Sequence, residues 1–185
     1  MNAEWTRVKW SQARQVTELL EWTDEDVRGD PATFYAGLRQ ADRLMEAVEF
    51  MAQALPRWEA VAWAVHGVQS LATTGGPAQV AALAAASHWV ADPTEETRRG
   101  AFAASESAPS DSAERLLALA AFLSGGSIAP PDCEPLPAPR AAAGQCAAGA
   151  LLIATATLPE SEIVLGRILD VAERLAAGQA LDGAA

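Results

Sequence analysis

Apolar residues recur at helical spacing through most of this chain. Leu44, Val48, Met51 and Leu55 fall at i, i+4, i+7 and i+11, while Arg39, Asp42, Arg43, Glu46 and Gln53 take the other side. That is the pattern of an amphipathic helix laid on a core. Asp30-Pro31 marks its start, because the Asp side chain accepts free backbone N–H groups and Pro is tolerated where no donor is needed. One long helix is therefore predicted from residue 31 to about 55. Pro56 breaks it, and Trp58, Val61, Val65, Val68 and Ala72 form the stripe of the next helix, which ends at Gly75-Gly76-Pro77.

Residues 78–91 carry only Gln79, Ser87 and His88 as polar side chains, which predicts a helix apolar nearly all round and central to the fold. Asp92-Pro93-Thr94-Glu95 repeats the start signal, with Asp92 expected as the cap, and opens a helix carrying Arg98, Arg99 and Phe102. Asp111-Ser112-Ala113-Glu114 opens another that runs to about Leu123 and stops at Gly125-Gly126. Five prolines then make residues 129–139 an extended or polyproline-like connector. A helix over 140–157 follows. The last helix, opened by Thr157 and Glu160, carries Ile163, Ile168, Leu169 and Leu175 among its apolar positions, and residues 176–185 are expected to fray.

The N-terminal end differs. Thr6, Val8 and Trp10 alternate with Arg7 and Lys9, predicting a short extended arm over residues 1–10 before a helix carrying Val16, Leu19 and Leu20. The whole reads as an all-α single domain over 11–175, with seven to nine helices in an orthogonal bundle or an α-solenoid-like stack.

Composition narrows what such a domain can do. Half of the 185 residues are hydrophobic, enough for a substantial core. Thirteen basic against 24 acidic residues give a formal charge of −11, which repels phosphate backbones and anionic headgroups and disfavours nucleic-acid and membrane-surface binding. Residues 141–158 lack charge for nearly the length of a short membrane span, but their Ala, Gly and Thr content reads as a buried helix. No signal peptide is apparent, and two cysteines fit a reducing cytoplasm.

Reactive residues are scattered. His66, His88, Cys133 and Cys146 show no metal-ligand spacing, no G-x-S-x-G is present, and no cofactor is expected. The acids at Asp24, Glu25, Asp26, Glu95 and Glu96 are accounted for by helix starts. Arg98 and Arg99 are expected to pair with acids on a solvated face. Trp58, Trp63 and Trp89 are assigned to the core, whereas Trp5, Trp10 and Trp22 are the candidate partner-binding residues, because Trp is enriched at binding hot spots.

Three segments carry a resemblance. RLMEAVEFMAQALPRWEAVAWA (43–64), HWVADPTEETRRGAFAASE (88–106) and FLSGGSIAPPD (122–132) together resemble a functionally uncharacterised bacterial all-helical family marked by LPRxEAVxWA, WVxDPxEExRR and SGGSxAPPD. Similarity covers residues 10–158. The chain departs at Val61-Ala62-Trp63, where a second aromatic is expected before the Trp, and at Cys133. The resemblance implies no activity and sets relatives beside type VI secretion components, spike-tip and adaptor proteins among them. The expectation is a cytoplasmic, non-enzymatic protein that binds a basic or apolar surface of another protein, a secretion component or effector, as an accessory, adaptor or chaperone of a secretion-related machine. The alternative is an acidic immunity or inhibitor protein that neutralises a basic toxin. A third reading places an anionic ligand near Arg98, Arg99 and His88.

Overall fold

The computed structural model describes residues 4–23, 27–71 and 75–181, and among them nine helices and no strand. They are α1 (Ala13–Leu19), α2 (Pro31–Gln40), α3 (Leu44–Ala54), α4 (Arg57–Ser70), α5 (Pro77–Ala91), α6 (Glu95–Ser107), α7 (Ala113–Leu123), α8 (Ala142–Thr155) and α9 (Ser161–Ala176). Helix α8 lies at the centre against α3, α4 and α7. Helices α5 and α6 cover α7 on one side, and α9 covers α3 and α4 on the other. The all-α reading holds.

Small residues explain why α8 takes the central place. A Cβ on Gly144 would sit 2.7 Å from the Gln53 side chain and 2.8 Å from the Ala52 carbonyl oxygen, and one on Gly149 would meet Leu116 at 3.0 Å. Backbones therefore approach closely on two sides. At 14 residues, α8 is about 21 Å long, well short of a ~30 Å hydrocarbon core. Among the described residues, no helix is long and apolar enough to cross a membrane.

The same logic corrects the expectation for α5. Only Ala82, Ala86 and Trp89 are buried there, and Val80 is 59% exposed. An Ala-rich helix has little periodicity, so hydropathy alone does not choose its buried side; close-contact glycines do, and α5 contains none.

The long helix predicted over 31–55 is two helices. The chain turns at Asp42, which has φ 57°, and Arg43 N–H donates to the Leu38 carbonyl across the turn. Asp tolerates the left-handed region, so no Gly or Pro announces the break. Gln53, placed by pattern on the polar side, is 1% exposed and its amide donates to the Ala141 carbonyl at 2.8 Å. Trp58 also departs from expectation. At 37% exposure it lies on the surface, its indole N–H donating to the Val90 carbonyl, while Trp63 and Trp89 are buried as assigned. Ile163 of α9 is likewise exposed. Ala72 lies outside the described residues.

Side-chain caps fix three of the nine described helix starts. Asp30 accepts from Thr33 N–H as predicted. The cap of α6 is Thr94 rather than Asp92, with Thr97 returning the bond, and the cap of α7 is Ser112. Asp92 instead closes α5. The proline stretch does not run straight: Ile128 N–H donates to the Leu136 carbonyl, and Ser127 Oγ accepts from the N–H groups of Ala129 and Leu136, which folds the segment into a closed loop.

The arm lies across the ends of two helices. N–H groups of Thr6 and Arg7 donate to the Ala176 carbonyl, and that of Lys9 to the Ala54 carbonyl, satisfying C-terminal acceptors of α9 and α3. Beyond Ala176, where fraying is predicted, Gly178 at φ 88° turns the chain back and Leu181 packs on the core. Residues 182–185 lie outside the described residues.

Gly144 of α8 and Gly67 of α4 give a graded prediction. Gly144→Ala drives a methyl into a backbone carbonyl, whereas Gly67→Ala meets only the tip of Leu151, at 2.5 Å. Overpacking costs about 1–3 kcal/mol, and a side-chain tip yields more easily than backbone. Urea unfolding should show Gly144→Ala less stable than Gly67→Ala by about 1–2 kcal/mol; the reverse order would contradict the account of α8.

Candidate functional site

Helices α4 and α9 diverge around the Trp63 ring and leave a groove of about 620 Å³. Trp63, Leu71, Leu158, Val164, Ile168 and Val171 supply most of its apolar wall. Trp63 is held by a bond from its indole N–H to the Ile168 carbonyl at 2.8 Å; it is fully buried and backs the groove from beneath its accessible lining. Its polar members are His66, Ser70 and Arg167, and Ser70 is turned back onto the Gly67 carbonyl. Sequence reasoning missed this site. Its wall includes Leu158 and Pro159 from the turn before α9, and no helical stripe singles them out.

The three candidate tryptophans are all half-buried and sit at different places. Trp5 packs on Tyr35 with ring centroids 5.2 Å apart. Beneath it Tyr35 donates to Glu173, and Arg39 donates to Tyr35, Glu173 and Asp170 at 2.8–3.0 Å. Burial pushes the Tyr35 hydroxyl above the ordinary tyrosine range, which keeps it a donor. Trp10 donates its indole N–H to the Gln53 carbonyl at 3.1 Å. Trp22 packs near Phe50 and lines a cleft of about 260 Å³ with Glu49, Gln53 and Gly144. At that cleft Gln53 Oε1 is buried without a hydrogen-bond partner.

Arg98 and Arg99 pair with an acid, Glu95, as expected, but not on a solvated face. Arg98 is 5% exposed; it forks onto both oxygens of Glu95 and donates to the carbonyls of Phe122 and Ser127. Arg99 bonds Glu95 and the carbonyls of Ser127 and Ala129. The two guanidiniums thus satisfy the free carbonyls at the end of α7 and in the loop after it. Hydrogen bonding from Arg98, then Arg99, holds the Glu95 carboxyl down at about 2. Gly126, at φ 61°, is needed here because a Cβ would lie 2.9 Å from the Arg98 guanidinium.

The remaining candidates stay apart. His88 is exposed, Cys133 is exposed in the proline loop, and Cys146 is half-buried with its thiol pushed up by desolvation. Among the described residues, no three His, Cys, Asp or Glu side chains are grouped to hold a metal. Asp24, Glu25 and Asp26 are outside the described residues.

Residues 34–176 match a family described only as one of unknown function, DUF6931. No curated protein and no solved structure matches the chain. Trp5, Trp10 and Trp22 all precede the matched segment, whereas the groove and the Arg98 cluster lie within it.

Proposed function

The chain belongs to the DUF6931 family, and we propose that it is a non-enzymatic cytoplasmic protein that binds another protein through the groove between α4 and α9. The observation that supports this reading is the groove itself: an apolar concavity lined by the half-buried Leu71, Leu158, Val164 and Val171 and backed by the buried Trp63, which suits an apolar segment of a partner polypeptide. Ile163, one turn before Arg167 and 52% exposed, continues the apolar strip along α9. The secretion-related setting implied by the sequence resemblance gives the reading its specific form, an accessory, adaptor or chaperone of such a machine. The half-buried Trp5, Trp10 and Trp22 would then act from the arm side, either through their exposed edges or by holding the arm in place.

Affinity capture from the native cell with quantitative mass spectrometry tests the groove. Val164→Asp and Val171→Asp should each lose a partner that wild type and Val80→Asp both retain, with circular dichroism melts showing folded protein. Equal partner sets for all four would overturn the reading. Deleting residues 1–10 is a poorer test, because it also strips the bonds to Ala54 and Ala176.

The charge of −11 favours a second reading, an inhibitor of a basic protein. Its association rate would fall steeply with added salt, whereas docking through an apolar groove would not.

A further inference from the structure

We propose a second contact surface: the corner formed by Lys9, Trp10, Arg57 and Arg140 receives a carboxylate-rich segment of a partner protein. Three distant pieces of chain build this corner. Lys9 N–H donates to the Ala54 carbonyl at 2.9 Å, Trp10 Nε1 to the Gln53 carbonyl at 3.1 Å, and the Gln53 amide to the Ala141 carbonyl at 2.8 Å. The arm, the turn between α3 and α4, and the entry to α8 are thereby joined. Lys9 Nζ and the Arg140 guanidinium lie 5.9 and 5.5 Å from the centre of the Trp10 ring.

The charges are placed against the ordinary rules. Arg57 is the first residue of α4 and Arg140 immediately precedes the cap of α8, so both cations stand at positive helix ends. Neither cap residue, Pro56 or Ala141, offers a side-chain acceptor. Glu59, in the first turn of α4, faces Arg7 at 3.5 Å instead. Among the described residues Arg7, Arg14, Arg39, Arg43, Arg98 and Arg99 pair with carboxylates, but Lys9, Arg57 and Arg140 do not, nor do Arg115 and Arg167, which lie elsewhere. Arg57 bonds only the Ser124 carbonyl, at 3.2 Å.

In a chain with 24 acids, three clustered cations without one leave a local excess of positive charge. Lys9 responds to it: desolvation first, then the nearby Arg57 and Arg140, pull its ammonium down to about 8. Lys9 and Arg140 both reach solvent, so the surface is open. An open guanidinium and ammonium, Arg140 and Lys9, backed by the half-buried Arg57, suit carboxylates presented by a polypeptide, which Arg binds in forked fashion. The rest of the acidic surface repels such a segment, so binding depends on this corner. It lies at the opposite end of α4 from the groove, and the two proposals fail separately.

Lys9 is the sole lysine, so a chain carrying ¹³C-lysine gives one side-chain resonance to follow by NMR. The probe is a hexaglutamate peptide with blocked termini, with inorganic phosphate as the comparison. The peptide should shift the resonance saturably and raise its titration midpoint from about 8 by about one pH unit or more, because nearby carboxylates favour the charged form. Arg140→Gln should weaken the peptide response at least about tenfold, and Arg57→Gln/Arg140→Gln should abolish it, with melts confirming folded protein. Should the double variant not fold, the exposed single substitution decides. No saturable shift, an undiminished response in Arg140→Gln, or a response to phosphate but not to peptide would each overturn the proposal.

Discussion

Arg98→Ala is expected to destabilise the fold by about 2–4 kcal/mol, from a buried carbonyl left without its donor and the lost packing of a buried stem. One guanidinium serves three groups here; its removal strands the Phe122 carbonyl and leaves the Ser127 carbonyl and Glu95 to Arg99 alone. The ring of Phe122, stacked on Phe102 at 4.4 Å, also loses the cation 4.7 Å from its centre. For a domain of this size the melting temperature should fall by roughly 10 °C. Urea unfolding followed by circular dichroism measures both, and a loss below about 1 kcal/mol would show that water replaces the guanidinium without difficulty. Arg98→Lys should recover little, since an ammonium lacks the fork. A pH signature accompanies the loss. The Glu95 carboxyl titrates at about 2 against an ordinary 4.5, so its contribution is present above 4.5 and is lost as pH falls toward 2. In Arg98→Ala that acid-side slope should shrink to the part left by Arg99.

Trp63→Ala should cost about 3–5 kcal/mol by opening a void between α4 and α9. Trp63 is fully buried, and its N–H reaches the Ile168 carbonyl on the neighbouring helix. Trp63→Phe separates the two contributions, because it keeps most of the volume and removes the donor. Its cost should be about 1–3 kcal/mol. Equal losses for the two variants in urea unfolding would mean that the bond, rather than the volume, holds the helices.

What the sequence disclosed follows from where each signal resides. Asp30 and Ser112 announce helix starts because a cap is a local bond between residues three apart. The break at Asp42 was illegible because its turn needs no special residue, only one that tolerates a positive φ. Helices α5 and α8 are both Ala-rich; only α8 carries glycines, and that these meet Gln53 and Leu116 is a tertiary fact. Arg98 looked like a surface residue because its main acceptors, apart from Glu95, are backbone carbonyls more than twenty residues away, and no side-chain pattern encodes a carbonyl. The groove was missed for the same kind of reason. Of the cationic corner, one trace was visible: Arg57 and Arg140 stand at helix starts, where acids are expected.

The arm sets an order of events during synthesis. Its Lys9 contact needs only α3, whereas its Thr6 and Arg7 contacts need the end of α9. At ordinary elongation rates the second acceptor follows the first residues by on the order of ten seconds. The arm's contacts therefore become available in two stages, that to Ala54 first and those to Ala176 later. Until the second stage, Trp5 has Tyr35 to rest on but neither Arg39 nor Tyr35 has Glu173, so the amino-terminal layer of the nascent chain waits, half closed, for a helix not yet made.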